Sequence, residues 1–207
     1  MPALLHERGI HVALIQETQF KSIFNLRNFR VSGYSYTHCD CLARVAAGSD
    51  DARLRSCQGI AVLVKTNIMA TVGDPVWFGD THAIDVSVFL KGSAALCRNI
   101  YLSPAPGKQK LNVGTFDESR PTIVAGDFNE AESGKAVSFL EQRGLSSVLT
   151  EFHPGANTWR WNTPVGSVSA QLDHITYDQT LTPLNAYVVR EGRSDHFPVV
   201  AVFAQAP

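Results

Sequence analysis

The feature that most constrains the fold is a series of nine short strand-like runs separated by polar or turn-forming segments. These runs cover residues 11–16, 59–65, 83–91, 95–102, 122–128, 157–161, 170–178, 184–191 and 197–204. In the fragment AIDVSVFLK (83–91), apolar and polar side chains alternate, which predicts a strand with one buried face. The runs IAVLV and TIVA lack this alternation, which favours strands covered on both faces.

Two segments have helical patterns. The fragment PALLHERG (2–9) has a proline near its first helical position and ends on Gly9. The fragment ESGKAVSFLEQRG (132–144) offers Ser133 as N-cap and Gly144 as terminator. Residues 39–59 are polar and aperiodic, so we predict a surface loop there. Many strands with few helices indicate a two-sheet sandwich of the α+β class, and the length favours a single domain over residues 1–207.

Composition excludes some classes of protein. The chain has 18 Lys+Arg and 19 Asp+Glu, and 18 − 19 gives a net charge of −1. This balance argues against wholesale electrostatic capture of nucleic acid but permits a local basic patch. No apolar run approaches the ~18 residues of a membrane span, and the N-terminus lacks a secretory pattern. We therefore expect an intracellular protein without a membrane partner.

The four cysteines are expected to be reduced thiols, since intracellular proteins rarely hold disulfides. The alternative is a zinc site built from His38, Cys39, Cys41 and Cys57. Their spacing fits none of the usual zinc frames, so we favour scattered free cysteines.

Several polar residues stand where apolar runs end. Glu17 follows HVALIQ, and the fragment VAGDFNE places Asp127 and Asn129 after a buried strand. A carboxylate there can accept a proton or bind a metal, and an asparagine offers both an acceptor and a donor without charge. The alternative is an ordinary strand-to-turn junction, since Gly, Asp and Asn all favour turns.

The fragment SDH near the C-terminus contains adjacent acid and imidazole groups, Asp195 and His196. Neighbouring side chains on extended backbone point to opposite faces, so His196 must take an orienting carboxylate from elsewhere. Asp173 interrupts a half-apolar strand, which costs stability unless the acid is paired or solvated. An exposed strand face explains Asp173 equally well, and packing alone explains Tyr101 at the end of its strand.

Taken in order, these motifs resemble a known superfamily. The sequence runs from an apolar strand with a terminal Glu through YLSP, GDFN, TWR and QLDHI to SDHFPV. This order resembles the endonuclease/exonuclease/phosphatase superfamily, and most closely the apurinic-endonuclease-like nuclease domain of non-LTR (LINE-type) retrotransposons. The resemblance covers nearly the whole chain. It implies a four-layered α/β/β/α sandwich with the active site at one edge of the sheets.

The resemblance also implies roles for individual residues. On the metal side, Glu17 is similar to the principal ligand of Mg²⁺ (or Mn²⁺), and Asp195 is similar to a second acid. Five residues are similar to the family's catalytic residues. Asp127 is similar to the residue that positions or deprotonates the attacking water, and Asn129 to the amide that holds the phosphate. His196 is similar to the general acid or base, Asp173 to the carboxylate that orients it, and Tyr101 to a phenol that donates to the phosphate. Thr158 and Ser194 match hydroxyls that touch the phosphate region in the retrotransposon enzymes.

Arg160 and Arg193 are expected to contact phosphate or DNA because they neighbour these motifs, which favours a local basic patch. The alternative is that they are scattered surface cations.

The sequence departs from the family pattern at three places. The family's first strand, which ends in an asparagine at the metal site, has no counterpart before the helix at residues 2–9. Because that strand is central in the family's sheet, we expect exposed backbone donors and apolar surface where it would lie. The segment 108–121 is too short and too interrupted by Gly114 for the usual helix. His174 stands where many relatives have an aromatic residue, either as a donor near the site or as a packed strand histidine.

The function implied by the resemblance is Mg²⁺-dependent nicking of target DNA that leaves a 3′-hydroxyl. The expected partners are DNA and a reverse transcriptase region of the same polyprotein, and the expected location is nuclear at the time of action. One alternative is a phosphatase or phosphodiesterase of the same superfamily acting on nucleotides, RNA or phosphoinositides. Another is a catalytically impaired relic that serves as a binding domain, because the first strand and its asparagine are absent.

Overall fold

The computed structural model describes residues 1–18, 30–39, 59–78, 81–90, 93–102, 119–192 and 194–204. These residues form three helices, α1 (Pro2–Glu7), α2 (Lys135–Glu141) and α3 (Val148–Phe152). They also form fourteen strands: β1 (Val12–Ile15), β2 (Tyr34–Cys39), β3 (Ile60–Lys65), β4 (Ala70–Val72), β5 (Val76–Phe78), β6 (Thr81–Leu90), β7 (Ser93–Tyr101), β8 (Thr122–Asp127), β9 (Leu145–Ser147), β10 (Trp159–Thr163), β11 (Gly166–Ala170), β12 (Asp173–Asp178), β13 (Pro183–Val188) and β14 (Val199–Phe203).

The largest layer is a seven-stranded sheet with the order β4-β6-β7-β8-β12-β9, in which β5 also pairs with β6. Its pairs are antiparallel except for β7 and β8, which are parallel. A second sheet of three strands has the order β1-β3-β2. The β10–β11 and β13–β14 hairpins form separate two-stranded sheets.

The main core lies between the two larger sheets. The side chains of Ile60, Val62 and Val64 on β3 pack against Ile84 and Val86 on β6, and all five are buried. Burying one such aliphatic side chain contributes about 1.5–3 kcal/mol relative to leaving it in water. The wholly apolar run in β3 is therefore covered on both faces, as its pattern predicts.

Helices cover the outer faces of both sheets. Leu5 of α1 packs with Tyr34 and Leu63 on the outside of the three-stranded sheet. On the outside of the seven-stranded sheet, the α2 residues Ala136, Val137 and Leu140 pack with Ile100 and Val124. A third cluster joins α3 and the β13–β14 hairpin to β12. This helix–sheet–sheet–helix order confirms the predicted α+β sandwich.

Some local predictions are corrected by the structure. Helix α2 starts one residue later than expected: its N-cap is Gly134, not Ser133, and it has no side-chain cap of its own. Instead, Glu130 Oε2 accepts a hydrogen bond from the backbone N–H of Ala136 at 2.8 Å, which satisfies one exposed donor at the start of the helix. Strands β2, β4, β5, β9 and β11 and helix α3 were not among the predicted elements.

The predicted loop at 39–59 begins within β2, and its residues 40–58 lie outside the described part of the chain, as do Cys41 and Cys57. The segment around Gly114 lies outside it as well. Cys97 is free and buried, and burial together with the charge of Asp85 raises the pKa of its thiol to about 12.

The layer that faces the seven-stranded sheet is divided. Among the described residues, β1 pairs only with β3, and β14 pairs only with β13. The four residues of β1 are all half-buried, whereas the neighbouring strand β3 is almost fully buried. No helix in the described ranges has the length and apolar character needed to cross a membrane.

Candidate active site

Sheet register brings three of the predicted site residues side by side. Asp127 ends β8, and it pairs with Tyr101 at the end of β7 and with Asp173 at the start of β12. These three residues come from positions far apart in the chain, and the central strand β8 carries the middle one. The candidate site therefore lies at one edge of the seven-stranded sheet.

A glycine allows these strands to approach each other. Gly126, the residue before Asp127, has φ +152°, and a Cβ atom on it would lie 1.8 Å from the backbone oxygen of Ile100. No side chain fits at this distance. Glycine in the GDFN motif is therefore a requirement of close packing between β7 and β8.

The turn after β8 is closed by Asn129. Its backbone N–H donates to Asp127 Oδ1 at 2.8 Å, and its amide nitrogen donates to the Leu102 carbonyl at 2.7 Å and to Asp127 Oδ2 at 3.2 Å. Asn129 has φ 48°, a left-handed conformation that asparagine tolerates better than most residues. The amide of Asn129 and the carboxylate of Asp127 are thus fixed relative to each other.

His196 is held by a carboxylate from another strand. Its Nδ1 lies 2.9 Å from Asp173 Oδ2, whereas the carboxylate of the adjacent Asp195 accepts a 3.2 Å hydrogen bond from the indole N–H of Trp159. Because Asp173 is the acceptor, Nδ1 carries the proton and Nε2 is the nitrogen left for other partners. Ser194 Oγ accepts from the backbone N–H of His196 at 3.1 Å and steadies the turn.

Thr158 is on the buried side of the pair formed by Asp173 and His196. The sequence predicted that its hydroxyl would contact phosphate, which requires an exposed position. Thr158 is fully buried, and its hydroxyl donates to Asp173 Oδ2 at 2.7 Å. The same hydroxyl accepts from the backbone N–H groups of Leu172 and Asp173. Thr158 therefore fixes the carboxylate that in turn fixes His196.

Burial and neighbouring charge perturb both titratable groups. Burial raises the pKa of Asp127 to about 7, assisted by the negative charge of Asp173. Burial by itself would lower the pKa of His196, but its hydrogen bond to Asp173 and the surrounding carboxylates raise that pKa to about 9. Between these values Asp127 is ionised and His196 is protonated, which is the combination that a general base and a general acid need.

Glu17 reaches the site from the other sheet. Its Oε1 accepts a hydrogen bond from the Tyr101 hydroxyl at 3.1 Å, and its backbone has φ 51°. Burial, followed by the charges of Glu17 and Asp127, raises the pKa of Tyr101, so its hydroxyl remains a donor. The negative charge of Glu17 also makes a small contribution to the raised pKa of Asp127.

The sequence patterns did not identify Asn99, which links the two sheets beside Glu17. It is fully buried, accepts from Gln16 Nε2 at 2.6 Å, and donates to the backbone oxygens of Ala61 at 2.9 Å and Ile15 at 3.3 Å. An asparagine next to Arg98 in the mainly apolar run ALCRNIYL was the available signal, because a buried amide requires polar partners.

The two arginines expected at DNA are less closely tied to the site. Arg160 is exposed on β10, its Nε donates to Asn162 Oδ1 at 3.0 Å, and its backbone N–H donates to the Asp195 carbonyl at 2.9 Å. Arg193 lies outside the described residues.

The donor atoms suit a metal ion. Within the described residues, Asp127, Asp173 and His196 form a group whose ligand atoms all lie within 4.8 Å of one another. Glu17 and Asp195 are not members of that group. Three carboxylates, with Glu17 included, outnumber the single imidazole. Burial raises the pKa of Asp127 most, and the charges of Asp173 and Glu17 add to it, so a cation would relieve the part that comes from repulsion. Carboxylate oxygens are the ligands that Mg²⁺ and Mn²⁺ prefer.

Comparison with known proteins agrees with this architecture. A family profile described as "Endonuclease/Exonuclease/phosphatase family" matches residues 1–196. No curated protein matches the sequence significantly.

Solved structures are similar at low sequence identity. The human Nocturnin catalytic domain with bound sulfate is 17% identical, with a TM-score of 0.67, and the match covers 98% of this chain and 83% of that one. An endonuclease/exonuclease/phosphatase protein from Bacteroides vulgatus is 14% identical, with a TM-score of 0.70 and coverage of 99% and 88%. The mannosyl-6-phosphatase Bt3783 from Bacteroides thetaiotaomicron is 15% identical, with a TM-score of 0.64 and coverage of 98% and 88%. At these identities the likeness extends to the fold alone.

Proposed function

Because this chain belongs to the endonuclease/exonuclease/phosphatase family of hydrolases, we propose that it is a DNA endonuclease that hydrolyses a phosphodiester and leaves a 3′-hydroxyl. The observation that carries this proposal is the group that Asp127, Asp173 and His196 form at one sheet edge, with their ligand atoms within 4.8 Å of one another. Phosphodiester hydrolysis needs a base for water and donors for the phosphate oxygens, and it needs no covalent protein nucleophile.

In this proposal each residue has a distinct task. Asp127 accepts the proton of the attacking water, since its pKa of about 7 lets it act as a base near neutral pH. His196, protonated at Nδ1 toward Asp173, uses Nε2 to donate to the phosphate or to the departing oxygen. To donate to the phosphate, Asn129 would exchange its hydrogen bond to Asp127 Oδ2, and Tyr101 would exchange its hydrogen bond to Glu17. Thr158 keeps Asp173 in place, and Ser194 keeps the His196 turn in place.

A divalent ion, Mg²⁺ or Mn²⁺, would add positive charge against the phosphate oxygens. We propose that Glu17 is its principal protein ligand and that Asp127 faces it. Asp195 is a weaker candidate as a ligand, because its carboxylate already accepts the indole N–H of Trp159.

DNA is favoured as substrate by the β10–β11 hairpin. Trp161 is 55% exposed and Val165 at the tip is 97% exposed, while Arg160 supplies a cation on the same hairpin. An isolated bridge between Trp159 and His196 attaches this hairpin directly to the site. Exposed aromatic and cationic side chains beside a phosphate-cleaving centre suit contact with a nucleic-acid strand. Arg160, and with it Arg193, would contact backbone phosphates.

We extend the proposal to the biological setting implied by the sequence motifs. The chain would nick target DNA in the nucleus for a non-LTR retrotransposon, joined to a reverse transcriptase region of the same polyprotein. The order GDFN, TWR, QLDHI and SDHFPV supports this finer assignment.

A second candidate is a phosphatase that acts on small phosphate esters. The similarity in fold to the mannosyl-6-phosphatase Bt3783 is the observation that favours it. The two candidate functions differ in the size of the substrate. Only a DNA substrate is large enough to need contact with the exposed β10–β11 hairpin.

A plasmid-nicking assay tests the proposal. We expect Mg²⁺-dependent conversion of supercoiled plasmid to the open circle, and Asp127→Asn and His196→Ala should each slow it by about 10²–10⁴-fold. His153→Ala is the matched control, because His153 is an exposed histidine away from the site. If neither site variant slows nicking, the site is wrongly assigned. Faster phosphate release from small esters than nicking of plasmid would establish the second candidate.

A further inference from the structure

The imidazole of His174 is buried beside the site without belonging to it. Only 1% of the residue is exposed, and its Nε2 lies 2.9 Å from the backbone oxygen of Glu130. Its Nδ1 lies 3.3 Å from the amide nitrogen of Gln171. An amide nitrogen can only donate and a carbonyl can only accept, so Nδ1 is the acceptor and Nε2 carries the proton.

This hydrogen bond restrains the turn that carries Asn129. On one side of that residue, the backbone N–H of Phe128 donates to the Leu172 carbonyl at 2.9 Å. On the other side, Glu130 accepts from His174. Leu172, just before β12, and His174, within it, therefore restrain the turn on both sides of Asn129.

This restraint matters because the backbone of Asn129 has an uncommon, left-handed conformation. Its φ of 48° is in the left-handed region, which is sparsely populated even though asparagine tolerates it better than most residues. Its amide is also the group that donates to both Asp127 and Leu102. Movement of the Glu130 carbonyl would displace this amide and, through it, the carboxylate of Asp127.

We propose that His174 is a positioning residue, which sets the catalytic turn through the Glu130 carbonyl and does not touch the substrate. The inference rests on the proposed hydrolytic function of the site. One segment of β12 then organises both parts of the reaction centre. Asp173 orients His196, while Leu172 and His174 hold the turn that presents Asp127 and Asn129.

The competing interpretation is that His174 only fills space, since its ring packs 5.1 Å from that of Phe128. Two substitutions separate the interpretations. His174→Phe keeps an aromatic ring against Phe128 but removes the hydrogen bond to Glu130. His174→Gln places an amide N–H at the reach of Nε2 and restores that donor.

Tyr177→Phe is the matched control on the same strand. Tyr177 is also buried and also loses one hydrogen bond when truncated, a 2.6 Å contact from its hydroxyl to Glu151 Oε2. That contact faces α3, on the side of β12 away from the turn at Asn129. The Tyr177→Phe substitution should lower the melting temperature without changing kcat or KM for plasmid nicking.

The experiment combines kinetics with hydrogen exchange. We expect His174→Phe to lower kcat for plasmid nicking by about 10–100-fold while KM changes less than about twofold, as small displacements of a reacting group do. His174→Gln should recover at least half of the wild-type kcat. In the metal-free protein without substrate, amide exchange across residues 128–131 should accelerate in His174→Phe and return toward wild type in His174→Gln.

The inference is overturned if His174→Phe leaves kcat and exchange unchanged, or if His174→Gln fails to restore either. If His174→Phe does not fold, His174→Met removes the same donor in a side chain that adapts to irregular cores. The comparison with His174→Gln then decides. If the wild-type protein nicks no DNA, the proposed function fails, and the exchange measurement still determines whether His174 restrains the turn.

Discussion

The two halves of the candidate site are supported in different ways. Asp127 ends β8, a buried strand that is paired on both sides by β7 and β12. Glu17 follows β1, a half-buried strand that pairs only with β3 among the described residues. The half proposed for acid–base chemistry is therefore built into the sheet at Asp127, whereas the half proposed to bind a metal is attached to a strand with one partner among the described residues.

The difference shows where preorganisation comes from in each half. At Asp127 and Asp173 the backbone ladder itself sets the geometry, since the two residues are direct partners in the register. At Glu17 the backbone is held beyond the end of β1 only by the hydrogen bond from the N–H of Thr18 to the Gly59 carbonyl, among the described backbone hydrogen bonds. Side chains add the rest: Tyr101 donates to the carboxylate, and Asn99 holds the preceding residues against the opposite sheet. A single substitution can remove one side-chain contact. The backbone hydrogen bonds of a central strand are lost only when the sheet itself unfolds.

The largest effect should come from breaking the sheet-borne half. Gly126→Ala would place a Cβ atom 1.8 Å from the Ile100 carbonyl, so we expect loss of folding or a fall in unfolding free energy of at least about 3 kcal/mol. Gly144→Ala is the control, because it shares a positive φ but has nothing within 4 Å of the added atom. It should cost about 1 kcal/mol. Equal costs in chemical denaturation would contradict this account.

A smaller effect should come from breaking the side-chain half. Asn99→Leu leaves the carbonyls of Ala61 and Ile15 without their donor, so we expect a loss of roughly 1–3 kcal/mol in unfolding free energy. Because Glu17 would lose its support, Mg²⁺ affinity measured by titration calorimetry should fall about tenfold.

The control for this variant is Asn185→Leu, at an exposed strand position, which should change neither quantity. If Asn99→Leu weakens stability but leaves Mg²⁺ affinity intact, the two sheets are joined at Asn99 without any consequence for Glu17.

A third test of the comparison uses the pH dependence of stability. The pKa of Asp127 is raised from 3.8 to about 7 in the folded protein, mainly by burial, so its ionisation disfavours folding. That contribution to stability is fully present below pH 3.8 and is lost as the pH rises through about 7. In metal-free buffer, Asp127→Asn should therefore gain stability relative to wild type between these values and remain level above them.

Denaturation curves at several pH values would measure this difference. A flat difference would mean that the carboxylate of Asp127 is not destabilised by burial.

The positions of the chemically important residues could be read from the chain because strand ends are local features. Apolar runs end at Glu17 and at Asp127 and Asn129, and another apolar run follows His196. Each of these patterns is visible within a few residues of the side chain concerned. The opposed faces of Asp195 and His196 follow from extended backbone alone, and the structure has them on different partners. The cap of α2 could not be read in this way, because Glu130 rather than Ser133 supplies it.

The short strands could not be predicted from the sequence. Strands β4, β5 and β9 have three residues each, too few to establish a period, and they exist because neighbouring strands offer a ladder. Thr158 was expected at the phosphate, but the sheet turns its hydroxyl inward onto Asp173. Whether a hydroxyl faces ligand or core depends on packing that no local pattern records.

By itself, the sequence determined the alternation of strands, the sandwich class and the residue types at the strand ends, because these depend on hydrophobic periodicity and turn chemistry over a few residues. Only the tertiary structure decided which groups meet. The contact between Asp173 and His196 joins residues 23 apart, and that between Tyr101 and Glu17 joins residues 84 apart. Such pairs form only when strand register and sheet packing are complete, and these are properties of the whole core.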